Sequence, residues 1–214
     1  MISVALGRIG RIILALITAR VATSILPPEE MARIFLISST VALYASILIS
    51  PVGMFINRRI YTWNIAGKIC IYFKYFWLYL LIVSLTSATS LTIFVKIGLF
   101  EFHTELIWLS FLIFSSLMIS TMNLLLIPSL NLLGYRVWFV HLTLATTLAS
   151  LIMAFYTTEY VRPSAEYWLV GLLSGQLLLG LIGGKVFYSK IQRSTAENGL
   201  TSEVTQKHLR QLLS

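Results

Sequence analysis

Apolar positions in this chain come in long unbroken runs rather than in the alternating or one-faced patterns of a soluble fold, and six of the runs are long enough to cross a bilayer. They predict helices over about residues 4–26, 33–55, 75–95, 106–135, 137–158 and 166–187. Pro27, Pro28, Glu29 and Glu30 stop the first helix and open the second, because proline is tolerated in a first turn and carboxylates suit a helix N-terminus. Residues 35–56 contain no charge, and Pro51 and Gly53 near the end of that helix permit a kink. The fourth run is longer than one crossing needs and carries Pro128, which predicts one tilted or kinked helix rather than two short ones. The apolar stretch at residues 12–19 is followed by Arg20 instead of a cleavage site, so the start of the chain reads as a retained first helix. The expected fold is all-α and integral to the membrane: a six-helix transmembrane domain over residues 1–190 and a polar tail over residues 191–214. For that tail, Val204, Leu209, Leu212 and Leu213 among Lys207, His208 and Arg210 leave two readings open, a frayed end and a short amphipathic helix on the membrane surface.

Composition strengthens this picture. Of 214 residues, 57% are hydrophobic and 11% charged, and the mean hydropathy is +0.86, whereas soluble domains carry about 25% charged residues. Six crossings fill the length and leave no room for a separate soluble catalytic domain. The net charge of +8 sits at the ends of the apolar runs, which points to membrane orientation and lipid headgroups rather than to nucleic acid. With the N-terminus in the cytoplasm, Arg8, Arg11, Arg58, Arg59, Lys68, Lys74, Arg136, Lys185, Lys190, Arg193, Lys207 and Arg210 fall on that side, 12 of 16 basic residues. Glu29, Glu30, Glu101, Glu105, Glu159 and Glu166 then fall on the other. The asymmetry predicts both termini in the cytoplasm. A single cysteine, Cys70, excludes an internal disulfide and any multi-cysteine metal site.

Three features bear on chemistry. Arg20 lies inside a predicted crossing, where a guanidinium either faces a polar cavity or snorkels to the outer headgroups, about 9 Å away along the helix. No carboxylate lies inside any run to pair with it. Hydroxyl residues crowd the third helix, Ser84 and Ser87 among them, and Asn123 and Gln176 are single intramembrane amides; such groups either bond helices together or line a wet wall that accepts sugar hydroxyls. Gly171 and Gly175, and again Gly180 and Gly184, have GxxxG spacing, which lets another helix approach closely, in this chain or in a second copy. Catalysis finds little support: aspartate is absent, neither GxGxxG nor GxxxxGK[ST] occurs, and His141 with a serine such as Ser174 lacks a nucleophile motif. No enzyme, cofactor or metal site is predicted.

Ala19, Arg20 and the run Ile25-Leu26-Pro27-Pro28-Glu29-Glu30 resemble the end of the first helix and first outer loop of oligosaccharide flippases, the polysaccharide-exporter branch of the multidrug/oligosaccharidyl-lipid/polysaccharide superfamily. The stretch from Ser50 through Pro51, Gly53, Asn57, Arg58 and Arg59 is similar to the close of their second helix, and Asn131-Leu132-Leu133-Gly134-Tyr135-Arg136 to their loop between helices 4 and 5. The resemblance covers about residues 5–190 and rests on order and spacing. It implies a multi-pass protein of the bacterial inner membrane that moves undecaprenyl-pyrophosphate-linked oligosaccharide precursors by alternating access for surface polysaccharide synthesis. Arg20 would match the cation of the central cavity, Arg33 would place a second cation near the outer mouth, and Arg58 would assist entry or anchor at the cytoplasmic face. Family members have two six-helix lobes, and this chain matches the first. The resemblance therefore implies a homodimer or a second-lobe polypeptide as partner, besides membrane lipids. A non-transporting scaffold for polysaccharide assembly enzymes and an inactive truncated flippase are the alternatives.

Overall fold

A computed structural model describes the backbone of residues 2–98 and 105–212 and the side chains of residues 7–98 and 105–191. Regular structure among the described residues is helical: α1 (Ile2–Ile25), α2 (Pro28–Ile65), α3 (Ile69–Lys96), α4 (Leu106–Leu132), α5 (Arg136–Tyr160) and α6 (Ala165–Leu212). The five helices α2 to α6 are long and apolar enough to cross a membrane. α1 carries Arg8, Arg11 and Arg20 and falls outside that set. Large apolar side chains stay exposed along α1 and α2, including Ile9, Ile13, Leu16, Phe35, Leu43 and Ile47. A soluble monomer does not sustain such a surface, whereas lipid accepts it without cost. The chain is a multi-pass helical membrane protein.

The helices run up and down. α4 lies at the centre, with Leu112, Ile113, Leu117 and Leu130 fully buried, and α3, α5, α6 and α2 pack around it. α1 packs on the flank of α5, where Gly7 and Gly10 meet Val140 and Leu144. At one end, the α2–α3 and α4–α5 turns both reverse through a left-handed glycine, Gly67 at φ 65° and Gly134 at φ 92°. Each is followed by a bond across six residues, Lys68 N–H to the Trp63 carbonyl at 3.0 Å and Tyr135 N–H to the Leu130 carbonyl at 2.8 Å, which satisfies carbonyls that a helix end leaves open. Phe73 packs against Phe187 at the same end, with the rings tilted 45° and 4.9 Å between their centroids.

α2 departs from expectation. The sequence pattern ends it near residue 55, with a kink allowed at Pro51 and Gly53, and leaves a basic segment before the next crossing. Instead it runs unbroken for 38 residues, and the basic segment is helical except for the turn at residues 66–68. Proline lacks an N–H and collides with the carbonyl one turn back. Here a π-helical turn, Ala45–Ile49, inserts its extra residue just before Pro51 and lets the helix continue. The Tyr79 hydroxyl on α3 donates to the Leu48 carbonyl inside that turn at 2.5 Å. Tyr79→Phe removes the donor and leaves the carbonyl unsatisfied, so thermal unfolding of the purified protein should show a loss of about 1–2 kcal/mol. Unchanged stability would mean that the turn does not depend on α3.

Pro128 sits inside α4 without breaking it, as expected of one long helix. The segment predicted as a tail continues α6 as helical backbone to Leu212, and the part of that helix long and apolar enough to cross a membrane is Ala165–Ile191. The tail's side chains beyond Ile191, and with them the amphipathic reading, lie outside the described residues, as does Glu101.

Candidate functional site: a polar groove inside the bundle

Four helices with small or hydroxylated faces meet without filling the space between them. α1 contributes Arg11, Ala15 and Thr18, α4 contributes Ser120, Asn123 and Pro128, α5 contributes Thr143, Thr147 and Ser150, and α6 contributes Gln176, while Leu124, Ile127, Phe139 and Leu172 make the rest of the wall apolar. They enclose a groove of about 440 Å³, within the range of small-ligand sites. Among the described residues no acidic side chain lines it, and Arg11 is the one charge that does.

Arg11, Ala15 and Thr18 recur at helical spacing, which puts them on one face of α1. Gly7 and Gly10 draw that side of the helix onto α5, where a Cβ on Gly7 would come within 2.9 Å of Val140. Across the groove, Asn123 Nδ2 donates to the Gln176 carbonyl at 2.9 Å and to the Ile119 carbonyl at 3.1 Å, and Ser120 Oγ donates to Gln176 Oε1 at 3.0 Å. Asn123 Oδ1 is buried and has no hydrogen-bond partner. Gly180 gives the amide its room, because a Cβ there would lie 2.9 Å from Oδ1.

The hydroxyls of the α5 wall share one orientation. Thr143, Thr146, Thr147 and Ser150 each donate to the carbonyl four residues back, at 2.7 to 3.0 Å. Their protons are therefore used within the helix, and their oxygens remain acceptors. Pro128 adds to this by leaving the Leu124 carbonyl without its i+4 donor. The groove thus offers many acceptors and a single guanidinium, which suits a ligand with several hydroxyl donors and one anionic group.

The sequence-predicted residues are only partly brought together here. Asn123 lines the groove. Arg20 does not: it is nine residues beyond Arg11, which at 100° per residue is half a turn round α1, and it is exposed on the opposite face. Arg33 is not a free cation at the mouth, since its Nη1 bonds Glu30 Oε1 at 2.9 Å. Arg58 is exposed near the end of α2, away from the groove, and its neighbour Arg59 lies over the Phe55 ring at 5.2 Å. Ser84 and Ser87 are 0% and 1% exposed on the stripe of α3 that also holds Leu80 and Leu91; they do not line the groove, and neither hydroxyl has a hydrogen-bond partner. Other hydroxyls of α3 do bond between helices, Ser90 to Tyr44 at 2.8 Å and Thr92 to Ser110 at 2.6 Å. His141 is exposed, and Ser174 donates to the Gly171 carbonyl at 2.8 Å. Arg11, which charge counting assigned to orientation, is the residue that sequence reasoning missed; its signal was the shared face with Ala15 and Thr18.

The glycine spacing of α6 finds its partner inside the chain. A Cβ on Gly175 would lie 2.5 Å from Ser150 Cα, and one on Gly171 would collide with Thr157 and Ala154, so α5 and α6 touch backbone to backbone.

No protein-family model, no curated protein and no solved structure matches this chain. The groove's own chemistry therefore carries the functional reading.

Proposed function

We propose that the chain is one six-span lobe of a transporter that moves a lipid-linked oligosaccharide, anionic at its pyrophosphate and rich in hydroxyls, across the bacterial inner membrane without covalent chemistry. The observation that carries this reading is the groove: one guanidinium, Arg11, without an ion pair among the described residues, beside hydroxyl and amide acceptors in an otherwise apolar wall, on a bundle whose outer surface is apolar. In this reading α1 is the sixth crossing. Arg11 is held by the groove, Arg8 lies at the cytoplasmic end, and Arg20 snorkels to the outer headgroups. Both termini are cytoplasmic, because the basic residues collect at the end of the bundle that holds the α2–α3 and α4–α5 turns.

The groove lies between helices of one lobe and has an exposed α1 beside it, so a second copy of the chain completes the enclosure. Light scattering in mild detergent, with the detergent contribution subtracted, should give a protein mass near twice 24.1 kDa. Transport is tested in proteoliposomes by the protection of an undecaprenyl-pyrophosphate oligosaccharide from an external lectin. The protein should expose or hide that glycan faster than empty vesicles do, since two states that prefer the substrate differently are all that transport requires. A monomer at 24.1 kDa that moves no glycolipid would sink the reading and favour the scaffold alternative.

A further inference from the structure

A second cleft, of about 370 Å³, opens at the far end of the bundle between the starts of α2, α4 and α6. Its wall carries both signs of charge, Arg33 and Arg162 with Glu30, Glu105 and Glu166, together with Trp108 and Tyr167. Glu30 is already engaged: one oxygen accepts from Arg33 at 2.9 Å, and the other accepts from the Ala165 N–H at 2.8 Å, which fastens the start of α2 to the start of α6. Arg162 and Glu105 are different. Both are exposed, both face the same space, and neither forms an ion pair with a described residue.

Arg162 is held in the α5–α6 connection, and Glu105 precedes α4 by one residue. Anchored on separate elements, they line one cleft without pairing, which leaves room for a ligand that carries both charges itself. Trp108 lies three residues after Glu105 in the same lining, and an aromatic ring there can bind a cation. The cleft sits where the apolar helices end, at the depth of lipid headgroups.

We propose that this cleft binds the zwitterionic headgroup of a phospholipid, its phosphate on Arg162 and its ammonium between Glu105 and Trp108. An anionic headgroup satisfies Arg162 but meets the carboxylate of Glu105, so the zwitterion is preferred. The inference rests on the membrane-crossing fold and is independent of the transported cargo.

The full-length protein in dodecyl maltoside is titrated with dioctanoyl phosphatidylethanolamine or dioctanoyl phosphatidylglycerol, and bound lipid is counted by native mass spectrometry. Phosphatidylethanolamine should bind at least about fivefold more tightly than phosphatidylglycerol. Arg162→Gln should weaken phosphatidylethanolamine about tenfold, the cost of one charge-assisted hydrogen bond. Glu105→Gln should erase the preference while phosphatidylglycerol binding persists. Both side chains are exposed, and circular dichroism with elution position checks that each variant folds. Competition by soluble phosphoethanolamine separates the sources: displacement shows that the headgroup alone suffices, and retention of the lipid confines the site to membrane ligands. Equal affinity for the two lipids, or wild-type binding by both variants, overturns the proposal.

Discussion

Gly175→Leu is expected to abolish the native bundle, giving aggregated or unfolded protein in place of a monodisperse peak. The reason is geometric: a Cβ at this position would lie 2.5 Å from both the Cα and the N of Ser150, so backbone rather than a pliable side chain blocks it. Overpacking against a mobile side chain costs about 1–3 kcal/mol, and a contact that must separate two helices lies at or above the top of that range. The damage would reach the groove, because Ser150 and Gln176 line it from the two helices concerned. Gly184→Ala is the control. Its new methyl would meet Met122 and Leu126 at 3.7 and 3.8 Å, ordinary contact distances, and alanine in a helix gains about 0.4–1 kcal/mol over glycine through the unfolded chain. Thermal unfolding in detergent should therefore fall sharply for Gly175→Leu and hold or rise for Gly184→Ala. Equal melting of the two variants would refute the backbone contact between α5 and α6.

Arg11→Ala should remove most binding and movement of an anionic glycolipid, while Arg20→Ala leaves both within about twofold of the parent. Among the described residues Arg11 is the one charge in the groove, with no carboxylate beside it. Losing a hydrogen bond to a charged group costs about 1.5–3 kcal/mol, or roughly 10- to 150-fold in affinity. Arg11→Lys should recover part of the loss, since it restores the charge without the planar fork that grips a phosphate on two oxygens. Proteoliposome transport and equilibrium binding, each at matched protein abundance, provide the readout. The opposite pattern, with Arg20 essential and Arg11 dispensable, would move the substrate to the outer face of α1 and contradict the groove as the binding site.

The sequence by itself determined the solvent and the elements. Long apolar runs have one stable answer in a bilayer, where every backbone group must be satisfied within its own segment, and so α3 to α6 begin within about six residues of the positions that hydropathy assigns. It also showed that Pro128 would not split α4. Local signals ended α2 near residue 55 and did not reveal the π turn that accommodates Pro51, because that turn draws on a hydroxyl from another helix, that of Tyr79. The site was less legible still. Charge counting singled out Arg20 for its depth along the chain, yet what places a side chain in a groove is its angle about the helix relative to the packed face. Gly7 and Gly10 set that face on α5, and it places Arg11 at the edge of the groove and Arg20 on the opposite side of α1. Ser84 and Ser87 likewise share their residue type with the groove hydroxyls but sit on the interior stripe of α3. A hydroxyl or a guanidinium reads the same in sequence whether it meets lipid, protein or a cavity; only the packing of one helix against another decides which of the three it meets.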